Sequence, residues 1–298
     1  MFSIDPQDPL KLTMVGSPMP TLGEFAMSIA YSSKYQKACV LNGGAMNGVA
    51  CYDVDSEKGL MPDGVGLRNF GYAGTTPAQL MGAKGSGSDI QFSADSSKLV
   101  VTFKGNTKPK MTFGHIDVFD VDSSGNVAKT WTDNQVSPSG QTFGFALNGY
   151  DMSQYYVSDA AFGGILVDID SESNKATNLA TVNNTAFGAS CWAVWSPQTG
   201  YYYDINAATP NLGVVTQGGT LKTVYDYDSK LVSAVDSIVD STEGTTLYMM
   251  NGINAISRMD LKTGKVLQTF EYATMDDRPF WTGMAMWPAD PMLSGNVG

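Results

Sequence analysis

The sequence predicts an all-β chain, a β-propeller of four-stranded blades, and three observations carry that expectation. First, one phrase recurs: alternating apolar residues, then a cluster of Asp, Ser, Gly or Asn. It reads GHIDVFDVDSSGN over Gly114–Asn126, FSIDPQD over Phe2–Asp8 and VACYDVDSEKG over Val49–Gly59. ILVDIDSESN over Ile165–Asn174 and AISRMDLKTG over Ala255–Gly264 repeat it. Period-two alternation closed by turn formers is the mark of a short, half-buried strand entering a tight turn. Second, Asp5 and Asp53 stand 48 residues apart, as do Asp120 and Asp168, and a period of roughly 40–50 residues marks propeller blades. Third, 32 Gly and 14 Tyr suit many short strands joined by turns, and helix signals are almost absent.

In chain order, residues 1–15 read as two outer strands, MFSID and KLTMV. The first complete unit follows with strands at Phe25–Tyr31, Ala38–Asn42, Gly48–Asp53 and a weaker outer piece near Leu67–Tyr72. Gly74–Gly87, rich in Gly, Thr and Pro, reads as a long loop. The second unit has Asp89–Phe92, Lys98–Phe103, His115–Val121 and Val127–Trp131, with a second long loop over Lys104–Gly114. The third has Phe143–Leu147, Tyr155–Ser158, Gly164–Ile169 and Thr177–Val182. Cys191–Trp195, Tyr201–Ile205, Leu212–Thr216 and Leu221–Tyr225 make the fourth. The fifth has Ala234–Val239, Thr246–Met250, Ala255–Met259 and Val266–Tyr272, and Trp281–Trp287 reads as one more innermost strand. Propellers commonly close by building one blade from both chain ends. Here that blade lacks a strand, so the ring has six blades with one defective, or is an incomplete ring from a seven-bladed protein. The reading is a single domain over residues 1–298 that lacks an N-terminal part, because FSIDPQDP begins in the middle of a repeat.

A net charge of −11 makes nucleic acid and anionic membrane surfaces poor partners, since both want basic patches. No run approaches the roughly 18 apolar residues of a membrane helix, and no signal peptide is visible at the N-terminus. Of the three cysteines, Cys39 and Cys51 sit on neighbouring strands and are either bridged or two buried thiols. Cys191 reads as a buried free thiol on an inner strand. Asn183-Asn184-Thr185 is the one glycosylation sequon. Together these lean toward a secreted protein.

Strand direction places the second-to-third loops and the inter-blade loops at one end of the blades. The turns at the other end are acidic, with Asp53, Asp55, Glu57, Asp95, Asp120, Asp122, Asp168, Asp170 and Glu172. The loop end carries Arg68, Lys84, Lys104, Lys108, Lys110, His115 and Arg278, a basic rim suited to an anionic small molecule or simply a set of solvated cations. Glu24, Asp89, Asp236 and Thr282 fall at the starts of innermost strands. Asn42, Lys104, Asp159, Asp204, Asn206 and Asn251 fall at the ends of second strands. Carboxylates and carboxamides gathered at one mouth can hold a hard cation or move protons, or can satisfy buried backbone amides between blades. His115 is the only histidine, which excludes a His-built zinc site, and no nucleophile-elbow motif accompanies it. Trp192, Trp195, Trp281 and Trp287 read as core, and GSGSD opens a strand, so it is no phosphate loop.

The phrases LGEFAMSIAYS, KACVLNGG, GVACYDVDSEKGL and SDIQFSADSSKLVVTFKG resemble the fungal proteins grouped with 3-carboxy-cis,cis-muconate lactonizing enzyme, within the lactonase-type seven-bladed β-propellers. The similarity covers most of the chain, best over Met1–Asp122. It implies seven blades and membership among either cycloisomerases or secreted relatives of unknown activity. Where lactonase-type blades often place Pro-Arg-His, this chain has Gly87-Ser88-Asp89, so no site residue is carried over by position.

Two functions follow as expectations, with a third behind them. One is a lactonase or muconate cycloisomerase-like intramolecular lyase acting on a small anionic or lactone substrate in a central channel. There Lys104 and Arg278 position the substrate alongside Asn42, Asp159 and Asp236, and Glu24, Asp89 or His115 moves the proton. No metal and no cofactor is required. The second is a secreted, non-catalytic propeller that binds a small molecule or carbohydrate. The third is a Ca²⁺-dependent lactone hydrolase using the ring of oxygens. Oligomeric state is not legible in the sequence.

Overall fold

The computed structural model describes residues 1–72, 85–105, 112–228, 234–240, 243–251, 255–271 and 283–286. Every regular element among them is a β-strand. The chain divides into two compact units, one of Met1–Val101 with Asp117–Thr132, the other of Thr102–Ile116 with Asp133–Val297.

The first unit opens with β1 (Phe2–Ile4) and β2 (Leu12–Met14), an antiparallel pair with Phe2 opposite Met14. Asp5 and Asp8 shape the turn between them by accepting the Gln7 and Leu10 amides. Next come β3 (Ala26–Ser32), β4 (Lys37–Asn42) and β5 (Gly48–Asp55), followed by β6 (Gly59–Pro62) and β7 (Arg68–Asn69), which both pair with β5. The fourth strand expected near Leu67–Tyr72 thus starts earlier and is broken in two. Pro62 ends β6, and the intervening turn carries Gly64 and Gly66 at φ of 79° and 81°, a conformation natural to glycine. Arg68 does not join a basic rim. It is buried, ion-paired to Asp63 at 2.8 Å, and donates to the Val127 and Ala128 carbonyls.

Strands β8 (Gly87–Phe92), β9 (Lys98–Phe103), β10 (His115–Asp120) and β11 (Thr132–Asn134) form one sheet in that order, apportioned between the two units. The expected outer strand at Val127–Trp131 is reduced to a single Val121–Val127 bridge, and β11 forms just beyond it.

The second unit contains three complete antiparallel blades. They are β12 (Thr142–Leu147) to β15 (Ala176–Asn183), β16 (Ser190–Ser196) to β19 (Leu221–Asp226), and β20 (Ala234–Val239) to β23 (Lys265–Glu271). Between lie β13 (Gln154–Asp159), β14 (Gly163–Ile169), β17 (Tyr201–Asn206), β18 (Asn211–Val215), β21 (Thr246–Asn251) and β22 (Ala255–Asp260). Five four-stranded sheets are therefore present among the described residues, counting β6 and β7 as one outer position. Gly283–Met286, part of the expected strand at Trp281–Trp287, forms no ladder. The Met284 amide instead donates to the Asp236 carboxylate.

The recurring phrase has a local cause. Its last Asp accepts the amides of the third-to-fourth-strand turn: Asp55 from Glu57 and Lys58, Asp122 from Ser124 and Asn126, Asp170 from Ser173, and Asp260 from Lys262 and Thr263. These are Asx turns, in which a short acceptor replaces the missing ladder partner. The Lys58 amide, then the Glu57 amide, holds the Asp55 carboxyl below its usual range.

Blades pack face to face because alternate residues of one strand point to opposite sides. On β17, Tyr202 packs with Tyr156, Leu166, Val182 and Val215, whereas Tyr203 and Ile205 pack with Leu212, Leu247, Met249 and Met259. Each such side chain contributes about 1.5–3 kcal/mol by leaving water.

Cys39 and Cys51 stand directly opposite each other on β4 and β5 and are joined as a disulfide, while Cys191 is a buried free thiol. Replacing both bridged cysteines by alanine is expected to lower unfolding free energy by about 2–4 kcal/mol. The urea midpoint measures this, and an unchanged midpoint counts against the bridge.

Candidate functional site

In four of the blades, the first strand starts opposite the residue that ends the second. Ala26 faces Asn42, Thr142 faces Asp159, Ser190 faces Asn206 and Ala234 faces Asn251. All four strand-end residues are buried, and each makes hydrogen bonds to neighbouring protein groups. Asn42 Nδ2 donates to the Thr21 carbonyl at 2.9 Å. Asp159 accepts from Ser139 Oγ at 2.8 Å, the Gly140 and Gln141 amides at 2.9 and 2.8 Å, and the Ala161 amide at 2.9 Å. Asn206 Oδ1 accepts the Ala189 and Ala208 amides at 3.0 and 2.9 Å, and Asn251 Nδ2 donates to Ser257 Oγ at 2.8 Å. Asp159 and Asn206 thereby tie the segment arriving at a first strand to the hairpin leaving the second.

Lys104 lies one residue past the end of β9. It is 1% exposed, and its Nζ lies 3.9 Å from the centroid of the Phe143 ring, a cation–π contact made in the absence of water. Its charge reaches Cys191, as do those of Asp204 and Asp159, so these four groups share one buried neighbourhood. Burial pushes the Cys191 thiol up to about 12, Lys104 opposes this, and the two carboxylates add to it. Such a thiol is no nucleophile at neutral pH.

Asp204 on β17 is fully enclosed. It accepts from Tyr156 Oη and Ser158 Oγ at 2.9 Å each, and from Ser190 Oγ. Burial pushes its carboxyl up to about 7. The three hydroxyls pull it down and the Asp159 charge adds to the rise. Gly164 makes room for this arrangement, because a Cβ there would lie 2.5 Å from Tyr156 Oη. A carboxyl pushed up to about 7 and linked to three hydroxyls has the protonation range of a general acid or base.

The other expected site residues are held by protein partners. Glu24 is half-buried and accepts the Ala45 amide at 3.2 Å, against the same Asn42–Gly48 turn that Asn42 closes. Asp89 on β8 accepts from Ser28 Oγ of β3 at 3.0 Å, from its neighbour's amide at 2.8 Å and from Gln91 Nε2 at 2.8 Å. It therefore cross-links two innermost strands. His115 Nδ1 lies 2.8 Å from Asp133 Oδ1, and its ring meets Phe103 edge-on. Burial acts to raise the Asp133 carboxyl, but the His115 hydrogen bond and charge outweigh it and hold the group below its usual range. Asp236 accepts the Ser237 amide at 2.7 Å, besides that of Met284. Arg278 and Thr282 lie outside the described residues, as do Lys84, Lys108 and Lys110.

Lys104, Asp159 and Asp204 thus all act on Cys191, and Asp204 is hydrogen-bonded by Tyr156, Ser158 and Ser190. Sequence reasoning placed Asp204 at a strand end without selecting it, and the three hydroxyl residues had no signal beyond their strand positions. The filled acceptor positions of Asp159 and Asn206 leave a hard cation few of the six to eight oxygens it takes.

The linkage of Asp204 has a definite sign. Its folded pKa lies above the unfolded carboxyl value, so the folded state binds the extra proton and stability falls as pH rises from about 4 through about 7. The thermal midpoint of the wild type should fall between pH 5 and pH 8 more steeply than that of Asp204→Asn. Parallel curves would contradict the raised carboxyl.

No family model matches the chain, and no curated protein matches it in sequence. Solved structures do match in fold. A protein from Lactobacillus plantarum aligns with a TM-score of 0.66 at 13% identity, covering 91% of this chain and 77% of its own. A candidate 6-phosphogluconolactonase from Bacteroides uniformis aligns at 0.66 with 12% identity, covering 92% and 78%. A chain of a nidogen/laminin complex aligns at 0.55 with 11% identity, covering 84% and 81%. At these identities the likeness is one of fold: the chain is an all-β propeller of four-stranded blades, an architecture it shares with lactonase-like structures.

Proposed function

We propose that this propeller is a lactonase- or cycloisomerase-like protein that acts on a small carboxylate or its lactone at the end of the blades where the innermost strands begin. The observation that carries the reading is that a buried ammonium, Lys104, and a carboxyl pushed up to about 7, Asp204, both act on the same buried thiol, Cys191. In a protein of net charge −11, a desolvated cation is a local field that favours an anion there. The fold likeness to a candidate 6-phosphogluconolactonase supports the substrate class. The ring is of the seven-bladed type within the same proposal.

The chemistry asked of the site is modest. In lactonization, a carboxylate oxygen bonds to one alkene carbon while the alkene electron pair takes a proton at the other, delivered by an enzyme acid that solvent later reprotonates. One acid and one cationic field suffice. Glu24, Asp89 and His115 remain candidates for that acid, and Asp204 joins them. Incubation with 3-carboxymuconate, followed by the loss of diene absorbance, tests the reaction, and a sugar-acid lactone followed by proton release tests the reverse class. Turnover of either supports the proposal. No change in both at high protein concentration rejects it.

A second reading, a secreted propeller that binds without turnover, is favoured by the Cys39–Cys51 bridge, since disulfides persist in oxidising compartments. The protein partners held by Glu24, Asp89 and His115 also support it. Asn183 is exposed at the end of β15 with Thr185 exposed beyond it, as sequon glycosylation requires. Expression through a eukaryotic secretory pathway should add an endoglycosidase-sensitive glycan that Asn183→Gln removes. An unmodified secreted chain would count against this reading.

A further inference from the structure

We infer a second binding site, for a small ring-bearing carboxylate, in the cavity of about 250 Å³ between the blades β16–β19 and β20–β23. It lies on the other side of β17 from Asp204. Tyr201, Tyr203 and Ile205 face the β20–β23 blade, whereas Tyr202 and Asp204 face β12–β15. It also opens at the other end of the strand, because Tyr201 begins β17 and Asn206 ends it, roughly 17 Å away at 3.3 Å per residue. The site proposed above uses none of its residues.

Its walls are built and held. Tyr225 Oη donates to the Lys262 carbonyl at 3.1 Å. Gly264, at φ 69°, lies flat against the Tyr225 ring, where a Cβ would approach to 2.3 Å. Tyr203 Oη, at the floor, is bonded to both Thr199 Oγ1 and the Leu261 carbonyl at 3.0 Å. The floor is therefore satisfied without a ligand, and the aromatic walls stand in place before one arrives, which lowers the ordering cost of binding.

The rim supplies the charge. Lys222 Nζ lies 4.1 Å from the Tyr201 ring centroid and donates to its hydroxyl at 2.6 Å, which leaves two further N–H donors. Lys262 Nζ makes no hydrogen bond or ion pair among the described residues. The nearby Asp260, whose Oδ1 accepts the Lys262 and Thr263 amides, also interacts electrostatically with the Lys262 ammonium. Two exposed ammoniums over a tyrosine-lined hollow, in a chain of net charge −11, specify an anionic head on a body with a flat face. The volume lies below the roughly 300–1,000 Å³ of pockets that take drug-sized ligands, which suits one ring rather than a chain of rings. That ring can belong to an aromatic acid or to a sugar acid, since both offer a face to tyrosine and a carboxylate to lysine.

Isothermal titration of the full chain with sodium benzoate and with sodium galacturonate separates the two sources, with benzyl alcohol and galactose as their neutral counterparts. At least one acid should bind saturably at millimolar concentration or below, with its neutral counterpart at least about tenfold weaker. Lys222→Met with Lys262→Met, both at exposed positions, should weaken that acid by at least about tenfold while leaving the thermal midpoint unchanged. The inference is overturned if neither acid saturates, if a neutral counterpart binds equally well, or if the double variant binds like the wild type.

Discussion

Where one blade hands the chain to the next, backbone amides leave water without gaining a ladder partner, and the structure depends on how that demand is met. A buried amide left unsatisfied costs about 1–3 kcal/mol, and such amides occur where Gly140, Gln141 and Ala189 lead into innermost strands. The residue ending the second strand lies opposite that point, so a polar side chain there reaches both the incoming segment and the outgoing hairpin. Asp159 takes three groups from the incoming side and one from the hairpin. Asn206 takes one amide from each. Asn42 turns the same position round and donates to a carbonyl. Identity varies with whichever backbone group needs a partner, while burial does not vary.

That layer is also where charge accumulates. Carboxyl groups placed in it for structural reasons lie among one another in a medium that screens poorly. Asp204 is the outcome. It cannot shed its charge into water, it feels Asp159, and three hydroxyls offset the burden. The chemistry proposed for the blade end grows out of the architecture, since the arrangement that closes the crossovers also leaves one carboxyl poised near neutrality. The tyrosine cavity across β17 has a different origin. It is a gap between two blade faces at the acidic-turn end, bordered by the lysines of two outer segments.

Much of the fold was legible because its signals are local. The Asp of the recurring phrase serves as the turn acceptor at Asp55, Asp122, Asp170 and Asp260, and the innermost and second strands of the five sheets fall close to their expected positions, unlike the one expected at Trp281–Trp287. Outer strands were read less well. Near Leu67–Tyr72 and Val127–Trp131, the alternation is weak because an outer strand has one sheet neighbour and much solvent, so apolar residues are not demanded at every second place. Arg68 looked like a rim cation, yet its guanidinium is spent on Asp63 and on carbonyls some 60 residues away. The bridge between Cys39 and Cys51 stayed open from sequence, because it rests on the two residues falling opposite each other in register.

Neighbouring residues dictate the alphabet of this protein: short strands, Asx turns, a repeat of blade length, and polar residues at strand ends. Those properties depend on contacts within a few residues along the chain. Which polar groups meet is settled by the packing of distant strands. Asp204 receives its hydroxyls from residues 46 and 48 positions earlier and 14 earlier, and its proton affinity is set by the burial that those distant strands impose. Desolvation and charge coupling act through space rather than along the backbone, so no local pattern could announce them.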